Sequence, residues 1–190
     1  MSQQTPPSAR SQARRAELVR QIADALLAEG VAQIPLRDLA ARLGTSDRML
    51  LYYFEDKADL VAASIEALAQ RLDTVLGADA TVPRRPPAEV LRAMGALLSE
   101  PGLRPFMSVW ADILARGGRG EAPFQAIAGA MVERSLASLE TRLDMDEPAA
   151  RRRTAAAILA AIEGAWLLGV AAPGSMDAVV DLFAGWLEAD

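Results

Sequence analysis

Apolar residues recur at three- and four-residue spacing along most of the chain, which is the pattern of amphipathic α-helices. Residues 34–54 contain the most informative pair of such helices. The apolar residues on one face of the first are Leu36, Leu39, Ala40 and Leu43. Gly44 suits a left-handed turn that ends this helix, and Ser46 is a favourable N-cap for the next. Leu50 and Phe54 are expected to pack in the core and to anchor the second helix there.

The same periodicity predicts helices elsewhere, and no segment alternates with the period of a β-strand. In the N-terminal part, the predicted helices are Ser11–Glu29, a second helix with Pro35 in its first turn, Ser46–Phe54, and a fourth helix that is capped by Asp56 and ends at Gly77. In the remaining part, they are Ala88–Ser99, Leu103–Arg116, a helix from Pro123 to Leu143, Pro148–Ala172 and a last helix capped by Ser175. The chain is therefore predicted to be all-α. Two short helices joined by a glycine turn form a helix-turn-helix, which presents its second helix to the DNA major groove.

Two stretches of this motif resemble the TetR-type transcriptional regulators. They run from Arg37 to Ser46 and from Leu50 to Lys57. The resemblance implies an N-terminal three-helix DNA-binding domain in residues 1–57 and a helical effector-binding and dimerisation domain in residues 58–190. The chain departs from the family at Leu51, where many relatives carry a tyrosine that contacts a phosphate.

Nine residues are expected at the DNA. They are Arg37, Thr45, Ser46, Asp47, Arg48, Met49, Tyr52, Tyr53 and Lys57. Arg48 can bond guanine O6 and N7 together, or it can pair with Asp47. Asp47 can accept from cytosine N4, or it can complement the helix dipole. Met49 can pack on a thymine methyl or on the core. Tyr52, Tyr53 and Lys57 are phosphate candidates.

The basic residues at the start of the first helix allow two interpretations. Arg10, Arg14 and Arg15 either form a solvated helix end or belong to an arm that touches phosphate or the minor groove. Arginines at a helix N-terminus oppose the helix dipole, which favours a functional use.

The last two helices, Ala149–Ala172 and Ser175–Glu188, form the predicted homodimer interface, because a helix-turn-helix that reads a palindromic operator needs a two-fold protein. The interface residues are Ile158, Ile162, Leu167, Phe183 and Trp186. The resemblance implies a four-helix bundle made of two helices from each subunit. The alternative is that both helices only complete the core of one chain.

Methionine and aromatic residues between these regions mark the candidate effector site. They are Met94, Phe106, Met107, Trp110, Phe124, Met131 and Trp166. The resemblance implies a cavity for a small, often apolar or aromatic molecule whose binding releases the operator. Such residues are also ordinary core. Asp112 and Glu163 lie close to the apolar stripes and could face such a cavity.

Composition narrows the function further. The 190 residues include no histidine and no cysteine, which removes the commonest general base and metal ligands, so neither an enzyme nor a metal or other cofactor is expected. Residues 1–57 carry eight Arg or Lys and seven Asp or Glu, and residues 58–190 carry twelve and eighteen. The acidity thus belongs to the C-terminal part, and a near-neutral DNA-facing part predicts reliance on specific contacts.

A membrane segment is considered for the apolar stretch Ala155–Ala172, but Glu163 at its centre would be costly in lipid. A buried helix in a cytoplasmic protein is expected instead. The sequence therefore predicts a DNA-binding repressor released from a palindromic operator by a small apolar effector. The alternative is a helical protein that binds a small molecule or a partner without useful DNA affinity.

Overall fold

The structure, a computed structural model, describes residues 9–31, 36–75 and 83–189. Its helices are α1 (Ala9–Glu29), α2 (Leu36–Arg42), α3 (Asp47–Tyr53), α4 (Lys57–Val75), α5 (Pro87–Leu98), a 3-10 helix (Pro101–Leu103), α6 (Arg104–Gly118), α7 (Phe124–Arg142), α8 (Pro148–Ala171) and α9 (Ser175–Ala189). The predicted helix start near Pro35, the side chain of Leu36 and the predicted helix end at Gly77 lie outside the described residues.

The all-α prediction is confirmed, since no β-strand occurs within these three ranges. The one β-type contact found there is an isolated parallel bridge between Arg85 and Leu143. The Arg85 N–H donates to the carbonyl of Arg142 at 2.8 Å, and the Asp144 N–H donates to the carbonyl of Arg85 at 2.9 Å. These two hydrogen bonds tie the segment before α5 to the end of α7.

The chain divides into two compact units. The first takes in Met1–Leu72 and Ser108–Ile127, and the second takes in Asp73–Met107 and Ala128–Asp190. The sequence analysis predicted a boundary between residues 57 and 58 that separates a DNA-binding domain from an effector-binding domain. That boundary is defined by function, and it stays a prediction.

The core of the first unit is built by helices that each contribute one apolar face. Its buried residues include Leu18, Ile22 and Leu26 of α1, Leu39 of α2, Leu50 of α3, and Leu60, Ile65 and Leu68 of α4. An ion pair between Arg71 of α4 and Asp24 of α1, with 2.6 Å between nitrogen and oxygen, joins these two helices at the surface. The fully buried Ser64 donates its hydroxyl to the carbonyl of Leu60 at 2.8 Å, so its polar atom is satisfied inside α4.

The second unit contains the contacts of α5 with α8 and α9, and those of α8 with α9. Gly95 of α5 makes the closest approach, because a Cβ atom built there would stand 2.9 Å from a methyl carbon of Val180 in α9. A side chain of any size at position 95 would therefore have to displace a β-branched residue that has little rotamer freedom.

Helix α8 begins with a carboxylate cap that the sequence analysis did not identify. Glu147 is the N-cap, and its side chain accepts the N–H groups of Ala149, at 2.8 Å, and of Ala150. These bonds lower the pKa of the Glu147 carboxyl. A depressed pKa means that the contribution of the cap to stability is present at neutral pH and is lost as the pH falls through the lowered value.

In the described ranges, α8 is the one helix that is long and apolar enough to cross a membrane by length and composition alone. One stripe of it is buried inside the second unit, and the residues are Ala155, Ile158, Ala161, Ile162 and Ala165. This stripe belongs to the core of that unit.

The close approach at Gly95 predicts opposite effects for two glycine-to-alanine substitutions. Gly95→Ala should lower the free energy of unfolding by about 1 kcal/mol, because overpacking against Val180 outweighs the gain in helix propensity. Gly129→Ala is the matched control, since Gly129 lies exposed within α7 and a Cβ there meets nothing within 4 Å. It should raise stability by roughly 0.5–1 kcal/mol. Chemical denaturation measures both, and an equal gain for the two variants would contradict the close packing of α5 on α9.

Candidate nucleic-acid interface

The turn between α2 and α3 is set by Gly44, whose φ is +61°, in the left-handed region that favours glycine. The Thr45 N–H donates to the carbonyl of Ala40 at 2.9 Å, and the Gly44 N–H donates to that of Ala41 at 3.2 Å. This pair of bonds is a Schellman motif. It ends α2 and directs the chain into α3, as the sequence predicts.

The first turn of α3 uses two of the predicted DNA contacts for its own capping. The Ser46 hydroxyl accepts the N–H of Met49 at 3.2 Å, which confirms Ser46 as the N-cap. The Asp47 carboxylate accepts the N–H of Arg48 at 3.0 Å. Asp47 thus serves the helix terminus, while Ser46 and Asp47 both stay exposed and Thr45 is half-buried.

Helix α3 has a sharply divided surface. Leu50 is completely buried, and Phe54, directly after the helix, is 2% exposed. On the opposite side Tyr52 is 72% exposed and Met49 is 44% exposed. Met49 is therefore not a core residue, and its contact with a thymine methyl stays a prediction.

The basic candidates are available at the surface. Arg37 in α2, Arg48 in α3 and Lys57 at the first position of α4 are all exposed. Within the described part of the chain, no ion pair or hydrogen bond engages the guanidinium of Arg48. The alternative that Arg48 pairs with the Asp47 carboxylate is thus not what the structure has.

The two tyrosines differ in their surroundings. Their rings meet edge to face, with 5.0 Å between centroids and 89° between planes. Tyr53 is half-buried and Tyr52 is largely exposed. A phosphate contact is consequently more accessible to Tyr52 than to Tyr53.

Arg15 of α1 fixes the end of α3, a role that the sequence analysis missed. Its Nε donates to the carbonyl of Tyr53 at 3.2 Å, and its Nη2 lies 3.2 Å from the Asp59 carboxylate of α4. The guanidinium carbon lies 4.7 Å from the centroid of the Phe54 ring, within the range of a cation–π contact. We call Arg15 with Tyr53, Phe54 and Asp59 the Arg15 clamp.

The short turn from α3 to α4 is held by carboxylates. The Asp59 N–H donates to the Asp56 carboxylate at 2.8 Å, which confirms Asp56 as the cap of α4. Asp59 in turn accepts the N–H of Glu55 at 3.1 Å. These bonds set the position of Lys57 at the start of α4.

The remaining arginines at the start of α1 have no such role. Arg10 and Arg14 are exposed, and their prediction as a DNA-touching arm is untested. The sequence offered little sign that Arg15 differs from them, because its partner Asp59 lies 44 residues away.

The predicted effector residues are distributed over both compact units. Met94, Phe106, Met107, Met131 and Trp166 belong to the second unit, and Trp110 and Phe124 belong to the first. Met107 is buried and Phe124 is 7% exposed, whereas the other five are half-buried. A shared cavity stays a prediction. Asp112 lies in the first unit and Glu163 in the second, and both are half-buried.

The predicted dimerisation residues fall into two groups. Ile158 and Ile162 are 1% and 3% exposed, so their side chains lie in the core of a single chain and have almost no area left for a partner. This is a correction to their expected position on the interface. Leu167 and Trp186, in contrast, are 60% and 57% exposed, and Phe183 is half-buried with its ring 4.9 Å from that of Trp186.

Comparison with known proteins identifies the N-terminal motif. Residues 20–64 match the model of the family described as bacterial regulatory proteins, tetR family. No curated protein matches the chain.

Several solved structures share the fold over nearly the whole chain. A TetR-family transcriptional regulator from Cytophaga hutchinsonii has a TM-score of 0.74 at 18% identity, with 96% of this chain and 97% of that chain covered. A transcriptional regulator from Rhodococcus sp. Rha1 has a TM-score of 0.69 at 21% identity, covering 91% and 95%. The multidrug binding protein EbrR, complexed with imidazole, has a TM-score of 0.64 at 19% identity, covering 92% and 94%.

The capped, outward-facing α3 and the all-helical fold define a helix-turn-helix DNA-binding regulator. Residues 20–64 carry a DNA-binding motif of the tetR type, and the rest of the chain shares the fold of the TetR-type regulators named above.

From the Arg15 clamp we predict that Arg15 stabilises the first unit, whereas the adjacent Arg14 does not. Arg15→Met should lower the free energy of unfolding by about 1–2 kcal/mol, because it removes charged hydrogen bonds and the contact with Phe54. Arg14→Met, at an exposed position, should change it by less than about 0.5 kcal/mol. Thermal unfolding measures both. If Arg15→Met kept full stability but lowered the salt dependence of DNA binding, the arm interpretation would replace the clamp.

Proposed function

We propose that this chain is a dimeric transcriptional repressor that binds a palindromic operator and leaves it when a small molecule binds. The single observation that carries the proposal is α3. It is anchored in the core by Leu50 and Phe54 while Arg48, Met49 and Tyr52 stand in solvent. Such a helix fits the major groove. The proposal includes a cytoplasmic location for the regulator.

In the proposed complex, base reading and positioning fall to different residues. Arg48 reads a guanine through two parallel hydrogen bonds, which is the commonest specific contact in the major groove. Lys57 and Tyr52 contact phosphates, as Arg37 does at the start of the motif. These contacts place the protein on the duplex without reading sequence.

A second exposed surface supports the homodimer. Apart from α3 and Val75, the large apolar side chains exposed in the described residues all lie on the last two helices, namely Leu167, Leu168, Val170, Leu182 and Trp186. A concentration of exposed apolar side chains on one pair of helices favours an interaction site there. We refer to these five residues as the α8–α9 patch.

Small residues extend the same exposed side of α8 toward its N-terminus. Ala157, Ala160 and Gly164 are exposed and follow the three- and four-residue spacing that leads to Leu167 and Leu168. A partner helix can approach such a stripe closely before the larger side chains meet. This arrangement fits the four-helix bundle that the family resemblance implies.

The proposed effector occupies the second unit among Met94, Phe106, Met107, Met131 and Trp166. A small apolar or aromatic molecule suits these side chains. The multidrug binding protein EbrR, which has the same fold, holds imidazole. Release of DNA requires that the effector bind one conformation of the dimer more tightly than the other.

Contacts at the end of α6 favour this helix as the element that transmits the conformational change caused by the effector. Arg116 donates from Nη1 to the carbonyl of Val31, which follows α1, at 2.9 Å, and from Nε to Glu121 at 2.8 Å. Its guanidinium carbon lies 4.1 Å from the centroid of the Phe124 ring. The hydrogen bonds from Arg116 and Arg119 lower the pKa of the Glu121 carboxyl, so the group stays charged at neutral pH. A shift of α6 would thereby reach the C-terminal end of α1.

The alternative function is a helical binding protein without useful DNA affinity. Leu51 favours it, because a leucine replaces the tyrosine that many relatives use against a phosphate. In the part of the chain that the structure describes, no group of three or more carboxylates is placed to hold a metal ion.

Selection of bound duplexes from a random DNA pool at near-physiological salt tests the proposed function. We expect a palindromic consensus with half-sites about one helical turn, 34–36 Å, apart. No enrichment, with or without a small-molecule panel, would move the alternative function to the front.

Two substitutions then separate base reading from positioning. Arg48→Ala should cost about 1–3 kcal/mol of binding free energy on the operator and relax the preference at one base pair. Lys57→Ala should weaken operator and random duplex alike and reduce the salt slope by about one unit. Titrations on both duplexes at several salt concentrations provide the measurement. Equal losses for Arg48→Ala on the two duplexes would remove Arg48 from the base-reading set.

The α8–α9 patch predicts a matched pair of charge substitutions. Leu182→Glu should convert the dimer to a monomer at micromolar concentration and reduce operator affinity, because it places an unpaired charge in the interface. Val75→Glu is the control, since Val75 and Leu182 are both 54% exposed. It should leave the dimer intact. Light scattering gives the mass of each variant, and a monomeric parent protein would contradict the proposed homodimer.

A further inference from the structure

Helix α3 exposes more apolar surface than its length suggests. Among its seven residues, Met49 is 44% exposed, Leu51 is 49% exposed and Tyr52 is 72% exposed. Leu51 is the residue whose identity departs from the family pattern, and its exposure shows that it does not replace tyrosine in order to fill the core. If the side chain of Leu51 has a role, that role is therefore a contact at the surface of the protein.

The helical geometry distributes these side chains over the outward face. At about 100° per residue, Tyr52 points directly away from Leu50 and Phe54, and Arg48 and Met49 lie on either side of it. Leu51 lies beyond Arg48, on the opposite side of the face from Met49. In a groove, Leu51 and Met49 would consequently meet base pairs on opposite sides of the one that Arg48 reads.

The chemistry of the major groove restricts what these two residues can contact. Base edges there carry hydrogen-bond donors and acceptors, and the thymine C5 methyl is the apolar group. A leucine or methionine pressed against a polar edge would remove water from a donor or acceptor without replacing its hydrogen bond. Against a thymine methyl, the same side chain loses nothing polar and both apolar groups leave water.

Few polar side chains of α3 are available for base reading at those positions, since we assign Tyr52 to a phosphate and Tyr53 is half-buried. Asp47 is engaged with the N–H of Arg48, and α3 carries no asparagine, glutamine or lysine. Arg48 is the one residue of α3 with an uncommitted charged group. The helix therefore has one strong hydrogen-bonding reader between two apolar side chains.

We infer that Leu51 and Met49 are specificity residues that read thymine methyl groups on the two sides of the base pair contacted by Arg48. The inference rests on the proposed operator binding and names the base chemistry that the operator must contain. Where many relatives carry a tyrosine that contacts a phosphate, Leu51 thus contacts a base instead.

Replacement of single thymines by deoxyuridine in the selected operator provides the test, since it removes the methyl and keeps every hydrogen-bonding group. We expect affinity to fall about fourfold for each methyl that is contacted, from the transfer free energy of one buried carbon. The salt slope should not change, because no charge is lost. 5-Bromodeoxyuridine, whose halogen occupies the place of the methyl, should restore binding.

Variants of Leu51 assign the contact to the side chain. Leu51→Ala should abolish the deoxyuridine penalty at one position of each half-site and leave it at the other, and Met49→Ala should do the reverse. Leu51→Met, which keeps an apolar side chain, should retain most of the penalty. Val75→Ala, which shortens an exposed apolar residue outside α3, should retain all of it.

The outcomes distinguish failure of the inference from failure of the proposed function. An operator that binds equally well with deoxyuridine at every thymine would overturn the inference and leave the repressor standing. A Leu51→Ala variant that loses affinity equally on thymine and deoxyuridine duplexes would place Leu51 against the sugar–phosphate backbone and overturn its role as a reader. If no duplex is selected at all, the proposed function itself fails.

Discussion

A helix of seven residues cannot hold its own shape in water, and the function of this protein depends on how that constraint is met. The structure holds α3 from three sides. The Ser46 hydroxyl caps its start, Leu50 and Phe54 anchor its inner face, and the Arg15 clamp holds its end. Leu50 and Phe54 lie on the opposite side of α3 from the exposed face that we propose for DNA. Rigidity and recognition are therefore assigned to different residues of one short element.

The second unit meets a different constraint, because its last two helices are apolar on more than one side. In α8, Ile158 and Ile162 complete the core of one chain, while Leu167, Leu168 and Val170 remain in solvent. A helix that is apolar all round in a water-soluble fold needs neighbours on every side. One chain provides them for the inner stripe, and a second copy is the occupant that we propose for the outer one.

The sequence predicted the helices, the turn at Gly44 and the caps at Ser46 and Asp56, because these features depend on local spacing and on the chemistry of single residues. It did not predict the role of Arg15, since the clamp joins residues far apart in sequence. Nor did it separate Ile158 and Ile162 from Leu167, because a helix with apolar residues on every side has no periodicity that marks its inner face. The cap at Glu147 was missed because serine, threonine, asparagine and aspartate are the usual N-caps.

The residues that hold α3 in place differ from the residues that we propose for base reading, and this affects how operator preference can evolve. Arg48, Met49, Leu51 and Tyr52 are exposed, and substitutions at such positions ordinarily change folding stability by less than about 0.5 kcal/mol. New side chains can therefore be tried at these four positions without loss of the folded state. Relatives that share this scaffold are free to diverge toward different operators, and a designer could retarget the protein by randomising the same short face.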